Sequence, residues 1–260
     1  MSSREAEIRA ERVAKRDQLI AAGVDPYPSK VATTHTIADV LEGFADLQSA
    51  ESVVTIAGRV LSLRRHGGSI FVDLTDGTDT VQLFFSRDAV GEESFALFAD
   101  TIDPGDFIAV TGTGFVTKRE AQAIAVASWE VLSKTLQAIP SSHYGIKDED
   151  ERYRKRYLDL LLDLELRELF IKKAKFWEVT RRFMKEHGFL EVETPSLEVT
   201  TGGAEARPFK TYHHDYDMDV YLRISVGELW QKHLMAAGYQ KTFEIGRVYR
   251  NEGTSPEHLQ

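Results

Sequence analysis

A chain of 260 residues that is 42% hydrophobic and 28% charged is long enough for one large domain or two ordinary ones, and its composition is that of a folded rather than a disordered protein. A formal charge of −9 is opposite in sign to that of most nonspecific nucleic-acid binders, which leaves only a local basic surface open to such a role. The lack of cysteine excludes disulfides, thiolate metal ligands and a thiolate nucleophile, and the eight histidines show no HExxH-type spacing.

The first twenty or so residues alternate acids and bases without the apolar core of a secretory signal, and no run of apolar residues reaches membrane-spanning length. A cytoplasmic protein with no membrane partner is therefore expected. Ser2 and Glu5 have capping-box spacing for a first helix, and Gly23 offers its stop. Arg4, Arg9, Arg12, Lys15 and Arg16 crowd that helix. They are either a local basic surface or a solvated face balanced by Glu5, Glu7 and Glu11.

After the Asp25-Pro26-Tyr27-Pro28 breaker the hydrophobic period changes from helical to alternating. Val54, Ile56 and Val60 mark one face of a first strand, Ile70, Val72 and Leu74 a second, and Val81, Leu83 and Phe85 a third. Asp76-Gly77 supplies the turn between the second and third. A short helix around Phe95 to Phe98 follows, then strands at about Phe107 to Val116 and Glu120 to Val131. Five strands with a helix between the third and fourth is the layout of an OB-fold, a small Greek-key barrel that binds oligonucleotides on its strand face.

Residues in the opposite phase point away from the barrel core. Phe71, Gln82 and Phe84 are in that phase, and an outward aromatic beside an amide suits stacking on a splayed base and hydrogen bonding to its edge. Glu120 and the basic pair Arg64-Arg65 add polar groups to the same reading. The competing expectation is that Phe71 packs under a loop or under the first helix.

Ser133 to Asp150 reads as a linker between domains. An amphipathic helix is predicted from about Glu165 to His187, with Leu166, Leu169, Phe170, Trp177, Phe183 and Met184 at helical spacing and Gly188 as its stop. Phe189 to Thr194 alternates as a strand and ends at Pro195. The expected organisation is a helix and lead-in over residues 1–30, a barrel over 31–135, a linker over 136–155 and a second domain over 156–260.

The segment FMKEHGFLEVETP, Phe183 to Pro195, resembles motif 1 of the class II aminoacyl-tRNA synthetases, an element that forms much of the dimer interface in that family. FEIGRVYRNEG, Phe243 to Gly253, resembles motif 2, a strand that ends in an Arg-Asn-Glu turn before a loop over the nucleotide. An always-charged guanidinium suits a phosphate whose charge grows during attack. The plainer reading of Arg247, Arg250, Asn251 and Glu252 is a surface charge cluster. RYRKRYLDL at Arg152 to Leu160, GGAEARPF at Gly202 to Phe209 and DVYLRIS at Asp219 to Ser225 resemble the lysine-specific branch.

The resemblance implies an α+β fold: an N-terminal helix, a five-stranded OB-fold barrel, then the first part of an antiparallel-sheet catalytic domain. It implies a ligase that uses ATP and Mg2+ to join L-lysine to its tRNA through lysyl-adenylate, acting as a homodimer. By resemblance Arg250 meets the α-phosphate and the lysine carboxylate, while Glu252 and His258 lie at the nucleotide. Gly203 and Glu228 meet the lysine α-amino group, and Arg64, Phe71, Gln82 and Glu120 meet the anticodon. Val226-Gly227-Glu228 is one residue longer than the family's usual Pro-Glu, Tyr212-His213-His214 replaces a His-His-Asn stretch, and Leu259 stands where bacterial members often have Asn. Motif 3, with its second arginine and magnesium carboxylates, has no match in this sequence. The 260 residues alone are thus expected to bind tRNA without forming the adenylate, and to hold no metal ligands. Aspartate- or asparagine-specific ligation, or non-catalytic tRNA binding and dimerisation, are the competing functions.

Overall fold

A computed structural model describes residues 3–117, 120–140 and 146–253, and the chain divides after Leu162 into two compact units. In the first unit, helix α1 (Ser3–Ala21) stops where expected. Gly23 takes a φ of +78°, and the amides of Gly23 and Val24 return to the carbonyls of Ile20 and Leu19. Two short helices follow, α2 (Ile37–Glu42) and α3 (Phe44–Ser49). Strands β1 (Val53–His66), β2 (Ser69–Thr75) and β3 (Thr80–Ser86) come next, then helices α4 (Arg87–Val90) and α5 (Glu92–Thr101). Strands β4 (Phe107–Val116) and β5 (Gln122–Ser133) complete a closed barrel in the order β1-β2-β3-β5-β4, with β4 returning to β1.

The alternation read from the sequence is the alternation of burial. Val54, Ile56, Val60, Ile70, Val72, Leu74, Val81, Leu83 and Phe85 are all buried. Phe85 stacks on Phe98 of α5 at 4.1 Å, and Trp129 meets Phe98 edge-on. Leu19 of α1 and Phe44 of α3 join the same core.

Part of the basic surface considered for α1 is taken up by structure. Arg12 is buried and donates to the carbonyls of Thr135, Gln137 and Pro104. Lys15 pairs with Asp103 at 2.6 Å and with Glu11 at 2.9 Å. Lys134 is fully enclosed between Asp103 and Asp106, each at 2.7 Å. These contacts bind α1 to the exit of β5. Further along, residues within the expected linker and its continuation fold into α6 (Glu149–Arg154) and α7 (Arg156–Leu162), where Asp159 draws in Arg152 and Arg156.

The second unit opens on helix α8 (Leu164–Glu186), capped by the Asp163 carboxylate on the amide of Leu166. Gly188, at φ +79°, ends it. Strands β6 (Leu190–Glu191), β7 (Leu197–Glu198), β8 (Lys210–His213) and β9 (Met218–Leu222) lead to helix α9 (Glu228–Ala236) and strand β10 (Thr242–Phe243). β7, β9 and β8 form an antiparallel sheet, and β6 pairs with β10 in parallel. The strand expected from Phe189 to Thr194 has only two paired residues, extended by one bond from Val192 N to the Phe243 carbonyl. The strand expected in FEIGRVYRNEG also ends early, at Phe243. Its continuation stays on the sheet through separate bonds, Tyr249 N to the Arg223 carbonyl and Asn251 N to the Arg207 carbonyl.

Candidate functional sites

The first site is the outer face of the barrel. Across β1, β2 and β3 the register places Arg64 opposite Phe71 and Phe71 opposite Phe84; one step along it places Ser62 opposite or beside Asp73, and Asp73 opposite Gln82. Strand pairing thus turns alternate residues into two rows, one aromatic and one polar. The aromatic row runs His66, Phe71, Phe84 and Phe115, with successive ring centroids 6.2, 5.1 and 5.7 Å apart. Phe71 is half-buried by its ring neighbours rather than sealed under a helix.

In the polar row Arg64 grips Asp73 through both terminal nitrogens, at 2.9 and 3.1 Å, and Ser62 Oγ donates to the same carboxylate. Burial by itself would raise the Asp73 carboxyl. The hydrogen bonds from Arg64 and Ser62, the Arg64 charge and a bond from Gln82 outweigh it, so the group is held below the usual carboxylate range. Gln82 stands opposite Asp73 in the register, and its amide carries both a donor and an acceptor suited to a base edge.

Two residues differ from the sequence reading. Glu120 does not lie on a strand: it occupies the β4–β5 turn with a φ of +62°, its amide bonded to the Thr117 carbonyl. Its side chain is exposed there. Arg65 is exposed but donates to the Ala99 carbonyl, so it does not act as a pair with Arg64. Asp73, Ser62 and Phe115 are members of the face that sequence reasoning passed over. The phase of Asp73, two residues after Phe71, was a usable signal; for Phe115 the glycines at 112 and 114 blur the alternation of β4.

The second site lies in the second unit, on the segment joining β9 to α9. Gly203 has a φ of +87°, and a Cβ there would collide with Glu228 Oε2 and Ser225 Oγ. Only glycine fits both the backbone conformation and that approach. Ser225 Oγ donates to the Gly202 carbonyl at 3.0 Å. Gly227 takes the left-handed conformation as N-cap of α9, and the turn sets Glu228 against Gly203. Arg250 is exposed and donates from Nε to the Ile224 carbonyl at 3.3 Å.

Three separate stretches of the chain thus meet here: the carboxylate of Glu228, the backbone of Gly203 and the guanidinium of Arg250, the last two set against residues 224–228. Such a set can hold an amino acid by its ammonium and present a cation to its carboxylate or to a phosphate. Glu252 is exposed beyond it, and His258 lies outside the described residues. Sequence reasoning missed Arg223 and Glu244, a buried pair at 2.6 Å beneath this site. Both stand inside motif-like phrases, but nothing in their spacing marks them as partners.

Two family models match successive parts of the chain. Residues 54–132 match the OB-fold nucleic acid binding domain, and residues 148–259 match the tRNA synthetases class II (D, K and N). The chain is 42% identical over 253 residues to a lysine–tRNA ligase of Roseiflexus castenholzii, covering 97% of this chain and 52% of that protein. It is 41% identical over 257 residues to a lysine–tRNA ligase of Shouchella clausii, covering 97% of this chain and 51% of that one. With lysine–tRNA ligase 2 of Methanosarcina acetivorans it shares 41% identity over 248 residues, 95% of this chain and 48% of the relative. The chain spans about half the length of the curated relatives it matches.

Proposed function

We propose that this chain, which matches an OB-fold nucleic acid binding domain and the class II tRNA synthetases (D, K and N) in separate segments, serves the ATP-dependent ligation of lysine to its tRNA. The observation that carries this reading is the meeting of Gly203, Ser225 and Glu228 beside the carbonyl that tethers Arg250. Glu228 and the Gly203 backbone hold the lysine α-ammonium. Arg250 faces the lysine carboxylate and the ATP α-phosphate, with Glu252 and His258 toward the nucleotide. A carboxylate oxygen then attacks the α-phosphorus, the bond to the bridging oxygen breaks, and pyrophosphate leaves with the electron pair. A ribose hydroxyl of the tRNA terminus next takes the lysyl group from lysyl-adenylate and releases AMP. Positioning and charge stabilisation supply most of the rate, and no protein nucleophile is needed.

The aromatic row centred on Phe71 takes the anticodon bases by stacking, while Gln82 reads an edge and Arg64 and Glu120 flank it. Helix α8 pairs with its copy in a homodimer, and the cytoplasm is the compartment. No helix among the described residues is long and apolar enough to cross a membrane. The family implies magnesium. Among the described residues no three His, Cys, Asp or Glu side chains are grouped to hold a metal ion, so no step here is assigned to one.

The test is ATP–pyrophosphate exchange by the full-length protein that carries this chain, with lysine, aspartate or asparagine as the amino acid. Exchange with lysine alone is expected. Exchange with aspartate or asparagine would reassign the specificity, and none with any of the three would leave tRNA binding as the function.

A further inference from the structure

Among the described residues Arg250 has little to hold it: it is exposed, and its guanidinium keeps one bond of 3.3 Å. Its position is set by the backbone on either side, through Tyr249 N on the Arg223 carbonyl at 2.9 Å and Asn251 N on the Arg207 carbonyl at 2.7 Å. Arg223 also donates its own amide to the Ser196 carbonyl at 3.0 Å. Its side chain then turns back under the same segment. Nε donates to the Arg247 carbonyl at 2.8 Å, and Nη1 donates to Glu244 Oε1 at 2.6 Å and to the Thr194 carbonyl and hydroxyl at 3.2 Å. Thr194 Oγ1 closes the ring by donating to Glu244 Oε2 at 2.6 Å. The pair is nearly sealed, with 6% and 3% of the two side chains exposed. A Cβ on Gly246 would collide with Arg223 Nη2, so the chain passes directly over the guanidinium.

One planar group therefore fastens residues 194, 244 and 247, while its own backbone carries Tyr249 on one side and leads to Ser225 and Glu228 on the other. A carboxylate–guanidinium pair this deep is weak evidence for stability, because apolar residues of similar size fill such a space as well or better. What an apolar pair cannot supply is a directed donor to the Arg247 carbonyl. We propose that Arg223 and Glu244 are positioning residues for amino acid activation. They touch no substrate, and they fix the register between the ammonium-holding residues Gly203 and Glu228 and the phosphate-facing Arg250. This inference rests on the function proposed above.

The experiment uses the full-length protein as wild type, Arg223→Lys, Glu244→Gln and the double variant Arg223→Met/Glu244→Leu. In Arg223→Lys the charge stays near Glu244 but the fork is lost. The kcat of lysine-dependent pyrophosphate exchange is expected to fall roughly 10- to 100-fold, the scale of an ångström of misplacement, with the KM for lysine changed little. Glu244→Gln should show a smaller fall of the same kind. The double variant is expected to regain the wild-type melting temperature and keep the low kcat. Its amides at Tyr249 and Asn251 should exchange hydrogen faster than in the wild type. Recovery of kcat together with the melting temperature would overturn the proposal, as would single-variant losses that only track the folded fraction. Unchanged exchange at Tyr249 and Asn251 would overturn it as well. If the wild type itself shows no lysine-dependent activity, the proposed function fails, and the amide measurement still decides whether Arg223 holds this segment.

Discussion

Phe71 is half-buried between His66 and Phe84, and no element of the barrel lies over its ring among the contacts described. Replacing it with alanine removes a stacking surface without opening the core. Phe71→Ala should cost roughly 1–3 kcal/mol in binding a lysine tRNA, the scale of one base–aromatic stack, and leave the melting temperature unchanged. A collapse of the melting temperature with intact tRNA affinity would instead make the ring a packing residue. The second unit offers a sharper case. Gly203→Ala meets both a left-handed backbone and a collision with Glu228 and Ser225, so the turn must shift away from Glu228. About 1–2 kcal/mol of backbone strain should appear as a raised KM for lysine in pyrophosphate exchange, with tRNA affinity unchanged. An unaltered KM would remove Gly203 from the ammonium site. Both residues could be singled out from sequence for opposite reasons: Phe71 by strand phase, which is a physical signal, and Gly203 only by resemblance, since its neighbours Ser225 and Glu228 are more than twenty residues away.

At the level of elements, the barrel strands were legible because each places three or four apolar side chains on one face with a period of two. α2 and α3 were not, because six residues give too few turns to establish a helical period, and the Thr36–Asp39 capping box that starts α2 uses Asp in place of the usual Glu or Gln. β6 and β10 are short because each is fixed by one neighbour, and the chain beyond β10 is held by side chains that no local pattern announces. α1 was legible as a helix but not as a docked one. Its attachment depends on Lys15, Asp103 and Lys134, which are far apart in sequence. That attachment carries a pH dependence. Burial would raise the Asp103 carboxyl, but hydrogen bonds from Lys134 and Lys15 and their charges hold it below the usual range. A depressed carboxylate contributes stability above its unfolded value, near pH ~4, and loses it as the pH falls through the lower folded value. Lys15 is pulled down by burial and raised more by Asp103 and Glu11, so its share persists at neutral pH and is lost only as the pH rises through its raised value. Asp106 is pushed up by burial despite Lys134 and works against Asp103 in acid. Urea unfolding of the wild type and Asp103→Asn at pH 7 and pH 3 should therefore give a larger difference at pH 7 than at pH 3. An equal difference at both values would show that the Asp103 carboxylate is not what holds α1.

For the whole molecule the deciding surface is on α8. Leu169, Phe176 and Phe183 recur every seventh residue, and Phe170, Trp177 and Met184 repeat the spacing one position later. Five of these six are large apolar side chains with 41–62% of their surface exposed, and α8 has no buried residue. These two apolar lines, about 100° apart on the helix, give residues 169–184 one broad apolar face of the kind that packs against another element. Soluble proteins rarely leave so large a contiguous apolar patch in water. The proposed cover is the same helix of a second copy, because most oligomers close on a two-fold axis and such an axis pairs a surface with itself. A stable interface of this kind needs roughly 1,000 Å² or more of buried area, which two 23-residue helices can largely supply with their aromatic faces. Sedimentation of the full-length protein at micromolar concentration is expected to give a dimer. Phe176→Glu/Phe183→Glu places four charges across the seam of one dimer, two from each copy, and should give a monomer in which the barrel still binds lysine tRNA. If the wild type sediments as a monomer, or the double variant remains a dimer, the seam is covered by something other than its own copy.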